Sequence, residues 1–281
     1  MSSTDITIVV TSFKSDQIIQ NCLNSIDRKY NVILVENSHR TDFKKKIEQE
    51  YSNIECILTG SNLGYGKANN IGLNNVKTKY ALILNPDASL QETTIENFFK
   101  AINDVPDFAI MGPYIQEENN KGHENNLNNN NPQEVMNVKG FAMFLNLKEF
   151  KEVGFFDENF FIYFEEIDLC KRLINKKKKI YLVPTIKINH RGGQSHNTDI
   201  NKEMELSRNW HWMWSTFYYH KKYKGFFISF LIILPKLISA VFKTLFYTLT
   251  FNKKKKDIYY QRSSGLINSI ISNHSWYRPK I

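Results

Sequence analysis

Four apolar, β-branched runs dominate the first third of the chain: ITIVVTS (6–12), NVILVEN (31–37), IECILTG (54–60) and KYALILN (79–85). Helical stretches separate them. Ile18, Ile19, Cys22, Leu23 and Ile26 recur at the spacing of one helix face, a Lys- and Glu-rich stretch covers 41–51, and another helix is expected from about 65 to 76. Runs that are apolar on both faces and joined by helices predict an α/β fold, a mostly parallel sheet with helices on both sides. In such sheets ligands bind beyond the carboxyl ends of the strands. The polar residues closing each run are therefore the candidates: Thr11-Ser12, Glu36-Asn37-Ser38, Gly60-Ser61-Asn62 and Asn85-Pro86-Asp87.

A helix near 91–103 and a strand near 108–115 follow, and then QEENNKGHENNLNNNNPQ (116–133), which is nearly devoid of apolar residues and is expected to be a mobile surface loop. Beyond it come VKGFAMFLN (138–146), a short helix to Val153, an acidic and aromatic segment leading into a helix (154–179), strands at 180–184 and 185–190, and RGGQS (191–195). A helix over 201–223 carries Trp210, Trp212, Trp214, Tyr218 and Tyr219, and an apolar stretch runs from Phe226 to Phe251. This pattern divides the chain into an α/β domain, 1–200, and a helical, basic and apolar region, 201–281.

The charge follows the same division. Residues 1–170 hold 15 Lys and Arg against 24 Asp and Glu, and the remainder holds 22 against 4, so the rear is strongly basic and suited to an anionic partner. The longest uncharged piece of the apolar stretch ends at Lys236, short of the ~20 residues that span a bilayer. Pro235 can open a new helix in which Lys236 and Lys243 share a face and Leu237, Ile238, Val241, Phe242, Leu245, Phe246 and Leu249 cover the rest. With Lys253 to Lys256 behind it, such a helix can lie in a headgroup layer, each basic residue adding about 1 kcal/mol on an anionic leaflet. The alternative is an ordinary buried helix pair. Cys22, Cys56 and Cys170 are scattered, without a CxxC pair, and read as buried fillers in a reducing compartment. MSSTDITIVV lacks the basic start and long apolar core of a signal peptide, so the chain is expected to stay in the cytosol, peripheral on the inner face of the cell membrane.

The chemistry concentrates in a few places. Asp87 ends an apolar strand at the ligand edge, where a carboxylate can hold a hard divalent cation against a diphosphate; Asn, Pro and Asp also make an ordinary turn. SNLGYGKANNIG (61–72) leads small and amide residues into a helix start that favours phosphate, or alternatively packs tightly on a strand through Gly64 and Gly72. FIYFEEIDLC (161–170) sets Glu165, Glu166 and Asp168 among aromatic and aliphatic residues. Mutual repulsion and burial raise a carboxyl pKa and make a proton acceptor, whereas acids at a helix start also simply complement its dipole. His190 closes a strand as a candidate for the same edge as Asp87.

Taken in order, TSF (11–13), VENS (35–38), SNLGYGKANNIG, LNPDA (84–88), KGFAMFLN (139–146), GFFDENFFIYFEEIDLCKRL (154–173) and HRGGQS (190–195) resemble the family 2 inverting glycosyltransferases of the GT-A fold, in particular the rhamnosyltransferase-like branch that builds bacterial surface polysaccharides such as lipopolysaccharide. The resemblance covers about residues 5–196. It implies that Thr11, Ser12, Glu36 and Asn37 border the nucleoside and that Asn62, Gly64, Lys67 and Asn69 approach the sugar and diphosphate. It implies that Asn85 and Asp87 occupy the DxD-type motif, with Asp87 and His190 as ligands of Mg²⁺ or Mn²⁺. It implies Glu166 as the general base, beside Glu165 and Asp168. The family often has Asp where Glu36 and Glu166 stand, and Asn85 replaces the first acid of the metal motif. The expected activity is direct displacement: rhamnose or a similar hexose moves from a nucleotide diphosphate donor, dTDP-rhamnose or a UDP-sugar, to a hydroxyl of a saccharide or lipid-linked acceptor, with Lys67 helping the diphosphate leave.

Two rivals remain. A sugar nucleotidyltransferase needs a Gly-rich, basic triphosphate loop after the first strand, and TSFKSDQ offers only Lys14. A non-catalytic nucleotide-sugar or nucleic-acid binder would use the basic, aromatic rear as a stacking surface. Against nucleic acid, the basic residues flank an apolar stretch instead of interleaving with aromatics.

Overall fold

The structure, a computed structural model, describes residues 3–114, 130–190, 192 and 198–279. Most of the Asn-rich segment and of RGGQS lies outside the described residues. The chain divides into two compact units, one of residues 1–63, 67–156 and 166–197, the other of 64–66, 157–165 and 198–281.

The first unit is built on β1 (Ile6–Ser12), β2 (Asn31–Glu36), β3 (Ile54–Leu58), β4 (Tyr80–Leu84), β5 (Ala88–Leu90), β6 (Phe108–Pro113), β7 (Gln133–Glu134), β8 (Ala142–Asn146), β9 (Lys179–Val183) and β10 (Ile188–His190). Eight of these make one sheet in the order β3-β2-β1-β4-β8-β6-β9-β7, parallel from β3 to β4 and again between β6 and β9. β8 runs antiparallel to β4 and β6. Every residue of β1, β4 and β8 is buried, as expected for strands covered on both faces.

The covering helices are α1 (Ile19–Asn24), α2 (Thr41–Glu50), α3 (Tyr65–Asn75), α4 (Thr94–Asp104) and α5 (Glu165–Asn175). Because strand side chains alternate, Val32 and Leu34 join the main core with Ile19, Cys22, Ile47 and Phe98, while Ile33 and Val35 pack with Ala68 on the opposite face. Gly72 permits that second contact, since a Cβ there would stand 2.5 Å from Val9 Cγ1. All three cysteines are buried and free, and burial pushes the thiols of Cys56 and Cys170 up to about 12, which removes them as nucleophiles.

The strand anticipated over 185–190 is shorter. The Ile186 N–H turns back onto the Val183 carbonyl, α4 holds the Lys187 carbonyl through the Thr94 hydroxyl, and β10 pairs with β5 in a separate antiparallel ribbon. This detour gives the site its shape.

The second unit contains α6 (Asn201–Leu249) and α7 (Lys253–Ile270). α6 breaks at Gly225, whose φ of 74° and ψ of 171° suit glycine alone, and Pro235 sits ten residues inside the second arm. The new helix thus starts at glycine and not at proline as anticipated. Met213 and Phe217 of the first arm meet Ile233 of the second and Leu266 of α7. The most apolar 18-residue window of α6 has a mean hydropathy of 2.2, so the helix is long and apolar enough to cross a bilayer, which counting uncharged residues alone had missed. Its second arm is largely uncovered: Phe227, Leu231, Phe242 and Leu249 are exposed, the first by 83 %. This finding replaces the ordinary buried helix pair.

Trp210 and Trp214 are buried, each indole N–H donating, to Ser264 Oγ and to the Asn273 carbonyl. They are core residues, and only Trp212 of this group offers a stacking surface. Beside them His211 is fully buried between Ser275 Oγ and the Tyr277 carbonyl, and desolvation pushes its pKa down from 6.5 to about 3. An unfolded chain takes up a proton on this ring below 6.5 and the folded chain does not until about 3, so stability falls as pH drops through that window. Urea titrations between pH 6.5 and 4 are expected to show a slope of up to about 1.4 kcal/mol per pH unit from this residue, missing in His211→Gln. An unchanged slope in the variant would remove the assignment.

Candidate active site

β4 ends where Asn85, Pro86 and Asp87 turn the chain into β5, the Ala88 N–H closing the turn on the Asn85 carbonyl. β5 pairs with β10 so that Ala88 faces His190, which brings His190 Nε2 to 3.5 Å from Asp87 Oδ1. Residues a hundred apart in sequence thus meet, as anticipated. The Asp87 carboxylate is buried, and neither its Oδ1 nor Asn85 Oδ1 has a hydrogen-bond partner among the described residues. A buried carboxylate oxygen without a donor is costly unless a cation or ligand completes it.

The KGFAMFLN motif supplies the connection. The Phe141 carbonyl accepts the Asn85 N–H at 2.8 Å, and the Phe141 ring stacks on His190 at 4.2 Å, fixing the imidazole plane. Two residues earlier Lys139 acts electrostatically on Glu166, and the backbone of Val138 acts on the Cys170 thiol, one turn into α5. Segment 138–141 therefore lies against both the Asp87 corner and the start of α5.

Glu166 stands in the first turn of α5, half-buried. Burial raises its carboxyl above the ordinary range, opposed by the backbone N–H groups of Glu166 and Ile167 and by Lys139. Glu165 is buried beside it in the chain. Asp168 has a different occupation: Arg172 Nε donates to it at 2.8 Å, and the same guanidinium reaches the carbonyls of Val153 and Phe155. It is an anchor for the segment before the acidic pair. Asn70, which the sequence reading passed over, holds that segment too, its amide exchanging two 2.9 Å hydrogen bonds with Phe156. The signal was available in the repeated Asn of KANN.

At the ends of β1 and β2, Ser12 donates to Glu36 Oε2, while Ser38 and Arg40 donate to Oε1, and Arg40 continues to Asp16. Fully buried and with both oxygens engaged, Glu36 braces the two strand ends. Thr11 Oγ1 is buried without a partner among the described residues. Asn37 donates to Asn62 and accepts from the Leu63 N–H and Thr59, so one amide shapes the 59–63 loop. Lys67 and Asn69 follow in the first turns of α3, Asn69 fully buried.

In the second unit, Gly64 (φ 87°) approaches Phe161 so closely that a Cβ would lie 2.3 Å from its carbonyl oxygen, and the Tyr65 N–H donates to that oxygen at 2.8 Å. The first N–H of α3 is therefore already used by protein. Gly64→Ala is expected to lower unfolding stability by about 2–3 kcal/mol, read as a shifted urea midpoint, since positive φ and collision act together. A wild-type midpoint would mean that the loop moves freely.

Tyr163 and Phe164, both at φ 72°, are consecutive left-handed residues immediately before α5. Such strain costs about 1–3 kcal/mol per residue and persists only where packing enforces it. Here Tyr163 meets Trp212 edge to face at 5.2 Å, Phe164 packs on Trp212 and Tyr219, and Ser215 holds the Ile162 carbonyl. The crowded aromatics of the first arm thus enforce this turn.

The chain is similar to known glycosyltransferases. E. coli rhamnosyltransferase WbbL is 24% identical over 251 residues, 75% of this chain and 91% of the relative. The Haloferax volcanii low-salt glycan biosynthesis hexosyltransferase Agl10 is 25% identical over 195 residues, 60% of this chain and 61% of the relative's length. The Mycobacterium tuberculosis N-acetylglucosaminyl-diphospho-decaprenol L-rhamnosyltransferase is 22% identical over 215 residues, 62% of this chain and 70% of the relative. In fold, the Pyrobaculum calidifontis mannosyltransferase PcManGT, solved with GDP-Man and Mn²⁺, superposes with a TM-score of 0.57 at 10% identity over 96% of this chain and 88% of its own. The crystal structure of S. aureus TarS 1–349 gives 0.56 at 13% identity, covering 99% and 93%. These neighbours share the GT-A architecture. The family model Glycosyl transferase family 2 matches residues 7–170. That match takes in more than half of the chain, from β1 through the acidic pair at the start of α5, and the chain therefore belongs to glycosyl transferase family 2.

Proposed function

We propose that this glycosyltransferase moves rhamnose or a similar hexose, with inversion, from a nucleoside diphosphate donor to a hydroxyl of a lipid-linked saccharide at the cytoplasmic face of a membrane. The observation that carries the reading is the buried, donor-poor Asp87 carboxylate against His190, in the same unit as a Glu166 carboxyl raised by burial. The names of WbbL and of the mycobacterial relative support the sugar and the lipid-borne diphosphate acceptor.

Asp87 Oδ1 and His190 Nε2, with Asn85 Oδ1 nearby in sequence, form the hard oxygen and nitrogen set that suits Mg²⁺ or Mn²⁺, held by few protein ligands and completed by phosphate oxygens. When bound, the ion supplies charge neutralisation for the departing diphosphate. Glu166 takes the proton from the acceptor hydroxyl as its oxygen forms the bond to the anomeric carbon and the nucleoside diphosphate leaves. Lys67 is assigned to that diphosphate. Thr11 and Asn37 are assigned to the nucleoside with Ser12 and Glu36 as their brace, and Asn62, Gly64 and Asn69 shape the loop beside the sugar. Asp168, tied to Arg172, is assigned a positioning role in place of the catalytic one anticipated beside Glu166.

The uncovered second arm of α6 supports residence at a membrane surface. A spanning path would carry Lys236 and Lys243 into hydrocarbon, with the charged α7 returning beside them. The test is to incubate the full chain with nucleoside diphosphate sugars, Mn²⁺ and a lipid-linked saccharide. Nucleoside diphosphate and an extended acceptor are expected; release of pyrophosphate, or no turnover with any donor, overturns the reading.

A further inference from the structure

Two cavities in the helical unit share a wall. The first, of about 400 Å³, is lined by Tyr163, Glu205, Arg208, Asn209, Trp212 and Arg262. The second, of about 380 Å³, includes Trp212 and Arg262 again together with Pro235, Lys236, Lys243 and Tyr259. Four cations thus face this pair of cavities against one carboxylate, and Glu205 is already paired with Lys254 at 3.2 Å. Among the described residues, Lys236, Lys243 and Arg262 form no ion pair with any acid. Arg262 commits only its Nε, to Asn209 Oδ1 at 2.7 Å. Lys243 and Arg262 both lie over the Tyr259 ring, at 5.0 and 5.2 Å from its centroid, so two like charges stand around one aromatic. Such an arrangement is relieved by an anion carrying more than one charge.

The surroundings specify what that anion is attached to. Lys236 and Lys243 rise from the second arm of α6, whose Ile238, Val241, Phe242 and Leu245 are exposed around them. At the other end the first cavity reaches Tyr163, in the strained turn, where the half-exposed Trp212 forms the wall between the two spaces. Headgroup cations beside an uncovered apolar arm, with an indole between, match an amphiphile with a compact, multiply charged head and a hydrocarbon tail.

We infer that these adjoining cavities seat the diphosphate of an isoprenoid-linked acceptor, with Lys236, Lys243, Arg208 and Arg262 meeting the phosphates and the tail leaving along the exposed arm. The inference rests on the lipid-linked acceptor proposed above and adds the place where it is held.

Geranylgeranyl diphosphate is the probe, titrated into the full chain in nonionic detergent, with tryptophan emission and calorimetry as readouts. Saturable binding is expected, with the emission change lost in Trp212→Phe and affinity weakened at least about tenfold in Lys243→Gln combined with Arg262→Gln. Lys253→Gln, the loss of an exposed lysine outside both cavities, is expected to leave affinity within about twofold. Lys236→Gln, on the exposed arm, gives the same comparison should the double variant fail to fold. Equal binding by wild type and the cavity variants overturns the inference, as does an equal loss in Lys253→Gln. Competition by inorganic diphosphate as strong as by the probe would mark a free phosphate site, and equal competition by phosphatidylglycerol vesicles a general headgroup site; either result overturns it. Nucleotide-sugar binding by the same samples separates the two levels: if donor binding and turnover persist while the probe does not bind, only this inference fails, and if no donor binds, the function proposed above fails on its own.

Discussion

Glu166→Gln is expected to lower kcat for sugar transfer by about 10²–10⁴-fold while leaving nucleotide-sugar binding within about twofold, because the substitution keeps the side-chain volume and removes only the proton-accepting oxygen. Glu166→Asp withdraws the carboxylate by one methylene and is expected to lose about 10–100-fold, the penalty of misplacement rather than of missing chemistry. The pH profile supplies a second check. Burial raises the Glu166 carboxyl, and a general base works only when deprotonated, so the rate should fall as pH drops through a value above that of an ordinary glutamate. That acid limb should vanish with the residual activity of Glu166→Gln. A variant with near-normal turnover, or an acid limb unchanged by the substitution, would transfer the role to another group.

Asp87→Asn should be comparably severe, with a loss of kcat/KM on the order of 10²–10³-fold. The amide keeps the turn that leads into β5 but removes the charge of the buried Asp87 carboxylate beside His190. Divalent-ion dependence is the more specific readout. In the wild type, nucleoside diphosphate with Mn²⁺ should raise the melting temperature more than either alone, since ligands that bind the folded chain stabilise it. Asp87→Asn should lose most of this extra shift, and His190→Gln should lose part of it while Phe141, its stacking partner, stays in place. An undiminished Mn²⁺-dependent shift in Asp87→Asn would remove the aspartate from any metal role, whatever happened to turnover.

Much of this site was legible from residues close together in the chain. The four β-branched runs announced a parallel sheet because strands covered on both faces must be apolar throughout, and their closing residues had to stand at the ligand edge. That logic located Asp87, Thr11, Ser12 and Asn37. Other assignments changed once partners became visible. Asp168 shares the spacing of a catalytic acid, yet Arg172 one turn later occupies it. Glu36 closes its strand as anticipated, yet Ser12, Ser38 and Arg40 consume both of its oxygens. Carboxylates look alike in a sequence, and which of them remain available depends on the donors that folding brings within 3 Å.

The rear of the chain shows the same limit from the opposite side. The count of uncharged residues stopped at Lys236, and a sequence cannot show that Lys236 and Lys243 line a cavity with Tyr259 and Arg262 while Phe227, Leu231, Phe242 and Leu249 stay exposed. Likewise Trp210 and Trp214 read as a stacking surface, although both are buried and their indole N–H groups are spent on Ser264 and Asn273.

By itself, then, the order of apolar runs, closing polar residues and short motifs determined the sheet, its open edge and the family, since periodicity and chain connectivity act locally and survive in one dimension. Only the tertiary structure decided that β10 folds back on β5 to set His190 against Asp87, that burial raises Glu166 while Arg172 pairs with Asp168, and that four cations gather beside a largely uncovered helix arm. Those outcomes depend on distances between residues remote in the chain, and electrostatic and hydrogen-bond energies are set by such distances and not by sequence separation.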